Sequence, residues 1–494
     1  MANYSKSMVP FIALQLDRRS RVPLQRQLYD EIRTAILSGR LAPGARVPAT
    51  RVLASDTGTS RNTVSGAFDQ LLSEGYLEGK VGSGTYVAHM LPEDLLRVTR
   101  QPGPSRPVVA RACLSRRGRM LGGIPASLRS REIATEQAFR TGLPAFDEFP
   151  RALWARLGAR LLRHAPSAIL TYGDPAGYRP LRRAIAEYLR AARGVNCSAE
   201  QVIVTAGSQQ ALDLAGRLLL DPGDAAWVED PGYLGARGAL RAAGVRSIPV
   251  PVDSGGLSVV EGEKRAPEAR LACVTPSHQY PLGMTMPLSR RTSLLAWARR
   301  HRAWIVEDDY DTEFRYSGRP LQALQGLDPI GCVIYTGTFS KVLFPSLRLG
   351  YMVVPESLVD TFVSARALAD RHPPGLEQAI VAEFLAEGHF ARHVRRMRTL
   401  YAERQEALVA ALGRELAGAI ETSPAEAGMN LTAWLRGNAS DLELSNKAAR
   451  VGVVVTPVSA YALEVKPRPG LLLGYAAFST RQIREGVRKL AQIF

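Results

Sequence analysis

Lys341 stands in a polar loop, within TGTFSKVLFPSLRLGY over residues 336–351, straight after the apolar run 332–335 and one short turn before Arg348. A lysine in a loop is ordinarily a solvated charge, so its meaning depends on what the chain brings beside it. Beyond residue 135, apolar runs repeatedly end in polar clusters. QVIVTAG leads into Gly207-Ser208-Gln209, AAWVEDPGY ends at Tyr233, and AWIVEDDYDTEF carries Asp308 and Tyr310. Free backbone N–H groups at a strand-to-helix junction favour an anion such as phosphate, which suits Ser208 and Gln209. Thr338, Ser340 and Arg348 add hydroxyls and a guanidinium around Lys341, all fitted to a phosphate monoester. Asp308 and Tyr310 are two residues apart, so on an extended chain they project to one side. A phosphate cradle, a carboxylate, a phenol, an aromatic platform at Tyr233 and an amine are together what pyridoxal 5'-phosphate needs. Its aldehyde condenses with a lysine, a carboxylate keeps the pyridine nitrogen protonated, and a phenol bonds the ring hydroxyl. No metal enters this chemistry.

These clusters need a scaffold that gathers strand ends. Apolar strand-like runs alternate with helical ones from residue 136 onward, which predicts an α/β domain, and ligands of open α/β sheets bind at the carboxyl ends of the strands. A chain of 494 residues exceeds what one core serves, and three textures divide it: a patterned region over 1–89, a Pro-, Gly-, Ser- and Arg-rich linker over 90–135, and the α/β domain over 136–494. No apolar stretch approaches the roughly 20 residues of a membrane helix, and no secretory leader is evident, so the protein is expected to be cytoplasmic, with no membrane partner. The four cysteines are scattered without a C-x-x-C pair, which indicates neither a disulfide framework nor a zinc site.

The net charge of +17 points to a polyanionic partner. Residues 1–135 hold 20 Lys and Arg against 10 Asp and Glu, so most of the excess lies in about a quarter of the chain. There, Pro23 opens an amphipathic helix bearing Leu24, Leu28, Ile32 and Ile36 and stopping at Gly39. A short helix over 51–56 follows, then one capped by Ser60 with Val64, Phe68, Leu71 and Leu72 expected inward, and YLEGKVGSGTYV reads as a hairpin wing. Ser60, Arg61, Asn62 and Thr63 at the start of the second helix are suited to base edges of a major groove. Arg46, Arg51 and Lys80, expected on flanking turns and the wing, are suited to phosphates.

The segment over residues 23–87 resembles the winged-helix domain of GntR-type bacterial transcription factors. YGDPAGYRPLR, TAGSQQAL, EDPGYLGAR, TPSHQYPLGMTMP, EDDYDTEF and GTFSKVLFPSLRLGY resemble the successive motifs of fold-type I aminotransferases, and the pair of domains resembles the MocR/GabR-type regulators. The resemblance implies a mostly parallel sheet with helices on both faces, with Lys341 as the Schiff-base lysine, Asp308 on the pyridine nitrogen, Tyr310 on the ring hydroxyl, and Tyr233 stacked on the ring. Ser208, Gln209, Thr338, Ser340 and Arg348 match phosphate-binding positions. Tyr172 matches a tyrosine that approaches the neighbouring subunit's site in a homodimer, which the family allows to be head-to-tail and domain-swapped.

Two positions depart from the aminotransferase pattern. Tyr280 stands where an asparagine is usual before proline, and Leu472 where an arginine grips the substrate α-carboxylate; Arg468 is the candidate to compensate. The expectation is a transcription regulator that binds double-stranded operator DNA and senses an amine or amino-acid-like effector, or the cofactor itself, with Tyr280 and Arg468 as effector contacts. The alternative is an active aminotransferase carrying a DNA-binding head.

Overall fold

The computed structural model describes residues 14–80, 82–92, 113–122, 137–316, 318 and 321–494. The chain falls into two compact units, Met1–Ala112 and Cys113–Phe494. Most of the stretch read as a linker, residues 93–112 and 123–135, lies outside the described residues. Between them Arg116–Gly122 forms a short helix with no buried side chain. Among the described residues no helix is long and apolar enough to cross a membrane.

In the first unit helix α1 (Leu24–Leu37) starts at Pro23 and buries Leu28, Tyr29, Ile32, Ala35 and Ile36, the stripe that a four-residue spacing dictates. Strand β1 is Arg46–Val47, and α2 (Thr50–Thr57) ends at Gly58, whose φ of 61° makes the left-handed turn that a side chain would strain. The Ser60 hydroxyl then accepts from Thr63 N at 3.1 Å and caps α3 (Arg61–Ser73). Val64, Ala67, Phe68 and Leu71 are buried on α3, but Leu72 is not: it is 36% exposed. One residue past Leu71 it has rotated about 100° away from that side chain, and the buried stripe is completed at its other edge by Ala67. Strands β2 (Leu77–Lys80) and β3 (Gly84–Val87) form the wing, and β1 pairs with β3, Arg46 opposite Tyr86. Arg46 is therefore on a strand rather than a turn; two residues are too few for alternation to announce one.

The second unit is built on eight strands: β4 (Val202–Thr205), β5 (Ala225–Asp230), β6 (Arg246–Asp253), β7 (Gly256–Leu257), β8 (Leu271–Val274), β9 (Trp304–Asp309), β10 (Val333–Thr338) and β11 (Gly350–Val353). They lie in the order β4-β11-β10-β9-β8-β5-β6-β7, with β6, β5, β8, β9 and β10 mutually parallel and β11 antiparallel to both of its neighbours. Successive residues of the central strands feed opposite layers. Val306 and Ile334 join the core under helices Ser208–Leu219 and Leu234–Ala243, while Ile305 and Val333 join the one under Leu288–His301. Burial on both faces is what makes these strands continuously apolar rather than alternating.

A smaller antiparallel sheet follows, of β12 (Ile420–Glu421), β13 (Asn430–Leu435), β14 (Thr456–Pro457) and β15 (Gly470–Gly474) in the order β12-β13-β15-β14. Residues 138–142 run from this sheet towards the larger one. Ala138 bridges Val453, Gly474 N donates to Phe139 O at 2.8 Å, and a side chain on Gly474 would strike Arg140 O at 2.2 Å. Phe139, fully buried at a φ of 70°, is held there by that packing.

Candidate functional site

The parallel strands and β4 all deliver their carboxyl ends to one edge of the large sheet, and the antiparallel β11 begins there. At that edge lies a cavity of ≈ 250 Å³ lined by Ser208, Gln209, Tyr233, Asp308, Tyr310, Thr338, Ser340, Lys341 and Arg348, the nine residues singled out for the cofactor. Ser208 and Gln209 follow β4, Tyr233 follows β5, Asp308 and Tyr310 close β9, Thr338 to Lys341 close β10, and Arg348 precedes β11. Tyr280, after β8, lines it too.

Lys341 Nζ donates to Gly142 O at 3.0 Å. Burial draws its pKa below the ordinary lysine value, against the opposing pull of Asp311 and then Asp308, the direction that makes a lysine a better nucleophile. Asp308 is itself pushed up to about 7, by burial first, although Thr336 Oγ1 donates to its Oδ1 at 3.2 Å. Behind it Glu229 is also raised to about 7 by burial, despite accepting from Thr275 N, Thr275 Oγ1 and Gln279 Nε2. A protonated ring nitrogen placed on Asp308 would return it to the charged form.

The opposite end is cationic and unsatisfied. Gly207, at a φ of 114°, opens helix Ser208–Leu219 without a side-chain cap, and the N–H groups of Ser208 and Gln209 meet no acceptor among the described residues. Arg348 holds a left-handed φ of 49°, and a side chain at Gly207 would approach its Nη2 to 3.4 Å. Among the described residues its guanidinium has no carboxylate partner. Ser340 Oγ is buried with no partner, while Ser340 N donates to Thr338 Oγ1 at 3.1 Å. Buried polar groups left unpaired are costly, and a phosphate dianion would satisfy all of these at once. The donor set therefore fits the cofactor deduced from the sequence.

Between the two ends stands an aromatic cluster. Tyr280 lies edge-on to Tyr233, Tyr310 and Tyr461 at ring distances of 6.3, 5.8 and 5.1 Å, and its hydroxyl pairs with that of Tyr461 at 2.7 Å. Burial lifts the Tyr233 phenol to about 12, so it stays neutral. Arg468 does not reach the cavity. It pairs with Glu421 at 2.7 Å, lies over the Trp434 ring, and lines a separate cavity of ≈ 560 Å³ that also touches His278 and Asn430. Leu472 is fully buried on β15 opposite Thr432 and lines neither cavity. Tyr172 is 81% exposed, beneath the guanidinium of Arg371 and against His372.

Sequence reasoning missed Thr141, Gly142, Thr275, Asp311, Pro345, Met429 and Asn430, which with Gly207 complete the lining. Asp311 was visible inside EDDYDTEF, where a further carboxylate so close to Asp308 was a signal, and Thr275 and Pro345 stand inside TPSHQYPLGMTMP and GTFSKVLFPSLRLGY; Thr141, Gly142, Met429 and Asn430 lie far from the motifs in sequence.

In the first unit Ser60, Arg61 and Asn62 are exposed at the start of α3 and Thr63 is half-buried. The Ser60 hydroxyl is committed to its cap and to Thr63 Oγ1 at 2.9 Å, which leaves Arg61 and Asn62 as the free donors of the helix end. Arg51 is exposed on α2. Arg46 and Lys80 flank the wing: a side chain at Gly84, opposite Lys80, would approach Arg46 Nε to 3.1 Å, and the Lys80 ammonium lies 5.1 Å from the Tyr86 ring.

The model of aminotransferase class I and II matches residues 139–490, and that of bacterial regulatory proteins of the gntR family matches residues 24–87. Over 97% of this chain and 96% of its own length, the probable rhizopine catabolism regulatory protein MocR of Rhizobium meliloti is 46% identical. The 2-aminoadipate transaminase of Thermus thermophilus is 35% identical over 72% of this chain and 89% of its own. Among solved structures, the α-aminoadipate aminotransferase LysN of Thermus thermophilus, complexed with N-(5'-phosphopyridoxyl)-L-leucine, superposes with a TM-score of 0.70 at 33% identity, covering 76% of this chain and 96% of that one.

Proposed function

Because the chain belongs to the MocR-type transcription regulators, in which a GntR-type winged helix precedes an aminotransferase class I and II domain, we propose that it binds pyridoxal 5'-phosphate at Lys341 and reports a small amine to its DNA-binding head. One observation carries this reading: the cofactor candidates from scattered motifs converge on one cavity whose amine is shifted towards neutrality and whose far end gathers unpaired donors.

In this reading Ser208, Gln209, Thr338, Ser340 and Arg348 hold the phosphate. Tyr233 lies against the ring, Asp308 receives a proton shared with the ring nitrogen, and Tyr310 faces the ring hydroxyl. When bound, the cofactor supplies an electrophilic carbon that a primary amine can occupy in place of Lys341. The effector's binding free energy then biases the large domain between two arrangements, and only an arrangement-dependent affinity can move the heads. Two copies pair, with exposed Tyr172 offered to the partner's site, so that two winged helices meet two half-sites of an operator. Leu472, which matches the carboxylate-gripping arginine in sequence but lines neither cavity, leaves an α-carboxylate without a partner at that position and so favours an amine that lacks one.

A second reading, turnover as an aminotransferase, is favoured by the intact Lys341 and Asp308 and by the likeness to the 2-aminoadipate transaminase. The visible spectrum of the purified protein during amine titration separates the two. A band that shifts and then holds supports a sensor. A band lost to the aminated cofactor and restored by a keto acid means turnover, and no band at any amine concentration overturns both.

A further inference from the structure

Four charged residues line the cavity: Asp308, Asp311, Lys341 and Arg348. The reading above employs three of them and leaves Asp311, which is 1% exposed. Its Oδ1 faces His278 Nδ1 at 2.8 Å, and the Tyr310 hydroxyl lies 3.0 Å from the same nitrogen. An ionised carboxylate only accepts, so Nδ1 carries the hydrogen and His278 braces Asp311 as a fixed acceptor. Its second oxygen, Oδ2, is buried and has no donor among the described residues. The protein thus keeps one oriented carboxylate oxygen unpaired in the wall of the cavity that holds Lys341.

The incoming group needs such an acceptor. A primary alkylamine is a cation at neutral pH, and the cavity's guanidinium, Arg348, opposes its entry. Asp308 is engaged by the ring nitrogen when the cofactor is bound, and its Oδ1 already accepts from Thr336. A carboxylate on the effector, in contrast, would face Asp311 with Arg348 already committed to phosphate.

We propose that Asp311 is the docking residue for the protonated amino group of the effector, and that the effector is a primary ammonium compound bearing no carboxylate. This rests on the cofactor reading of the same cavity.

The test uses full-length, cofactor-loaded protein and its Asp311→Asn variant at pH 7.5. Two probes are titrated while the visible band is followed: ethanolamine, which is a cation at that pH, and methoxyamine, which reacts with the same carbon but is uncharged. Losing a hydrogen bond between charged groups is worth about 10- to 100-fold, so the variant should need that much more ethanolamine for half of the shift, with methoxyamine within about twofold. Asp311→Glu should recover most of the ethanolamine response, and β-alanine should shift the wild-type band less readily than ethanolamine. An Asn variant that answers ethanolamine like the wild type overturns the docking role. So does one that loses both probes equally, because that is what damage to the cavity alone would do. A wild-type protein without a visible band removes the cofactor reading first, and this inference with it.

Discussion

Replacing Asp308 by Asn should stabilise the cofactor-free protein and weaken the cofactor-loaded one. The carboxyl is raised from 3.8 to about 7, chiefly by burial. At about 1.4 kcal/mol per pH unit, ionising it in place costs the fold about 4 kcal/mol. A group whose folded pKa is raised contributes its full stability below its unfolded value, near 4, and loses it as pH climbs through about 7. Asn never ionises and keeps an oxygen for the Thr336 hydroxyl, so its advantage should grow by about 2–3 kcal/mol between pH 5 and pH 8. All five tryptophans lie beyond residue 150, so urea unfolding followed by tryptophan fluorescence reports the large domain alone. With cofactor bound, the order should reverse at pH 8, because the wild-type carboxylate then has a cationic partner. An equal gain at pH 5 and pH 8, or a loss at pH 8 without cofactor, would refute the electrostatic account of Asp308.

Three further substitutions probe separate parts. Lys341→Ala should abolish the visible band and the amine response while leaving operator binding, measured by fluorescence anisotropy, within about twofold; an amine response that survives sinks the role of Lys341. Arg61→Ala should cost about 1–3 kcal/mol of operator-specific binding at moderate salt without changing the band, and specific binding that persists would misplace the reading end of α3. Ser340→Ala removes a hydroxyl that is buried without a partner, so cofactor-free stability should hold or rise by up to about 1 kcal/mol, whereas cofactor retention on dialysis should fall about tenfold. A loss of cofactor-free stability would mean that the hydroxyl already has a structural bond.

The motifs were legible because each sits where an apolar strand stops. That placement follows from burial on both faces of a parallel sheet, and it assigns Asp308, Tyr310 and Lys341 to one edge from the sequence alone. Leu72 and Arg46 were misread for local reasons, a stripe extended one residue too far and a strand of two residues. Arg468 was misread for a long-range one. Its partner Glu421 belongs to β12 and its ring to Trp434 on β13, and nothing in a local window announces a pairing across the smaller sheet. Gly142 and Asn430 escaped for the same reason, since the contact between Lys341 and Gly142 spans 199 residues. The hydrogen-bond pattern of His278 and Asp311 was also out of reach, because spacing tells which residues are near but not which oxygen is left over.

That 199-residue contact also joins the lysine to a distant stretch of backbone. A Schiff base at Lys341 would leave its nitrogen at most one hydrogen and fix that hydrogen's direction, so the bond to the Gly142 carbonyl depends on what the lysine carries. The carbonyl belongs to a stiff segment. Phe139 is clamped by the close approach of Gly474 and Gly486, and Ala138 is pinned to Val453, so a lost bond at residue 142 cannot be absorbed by slack on that side. Residues 138–142 also stand at the start of the aminotransferase-like region, which matches from residue 139. A change at one nitrogen is thereby felt at a segment that the smaller sheet holds in place.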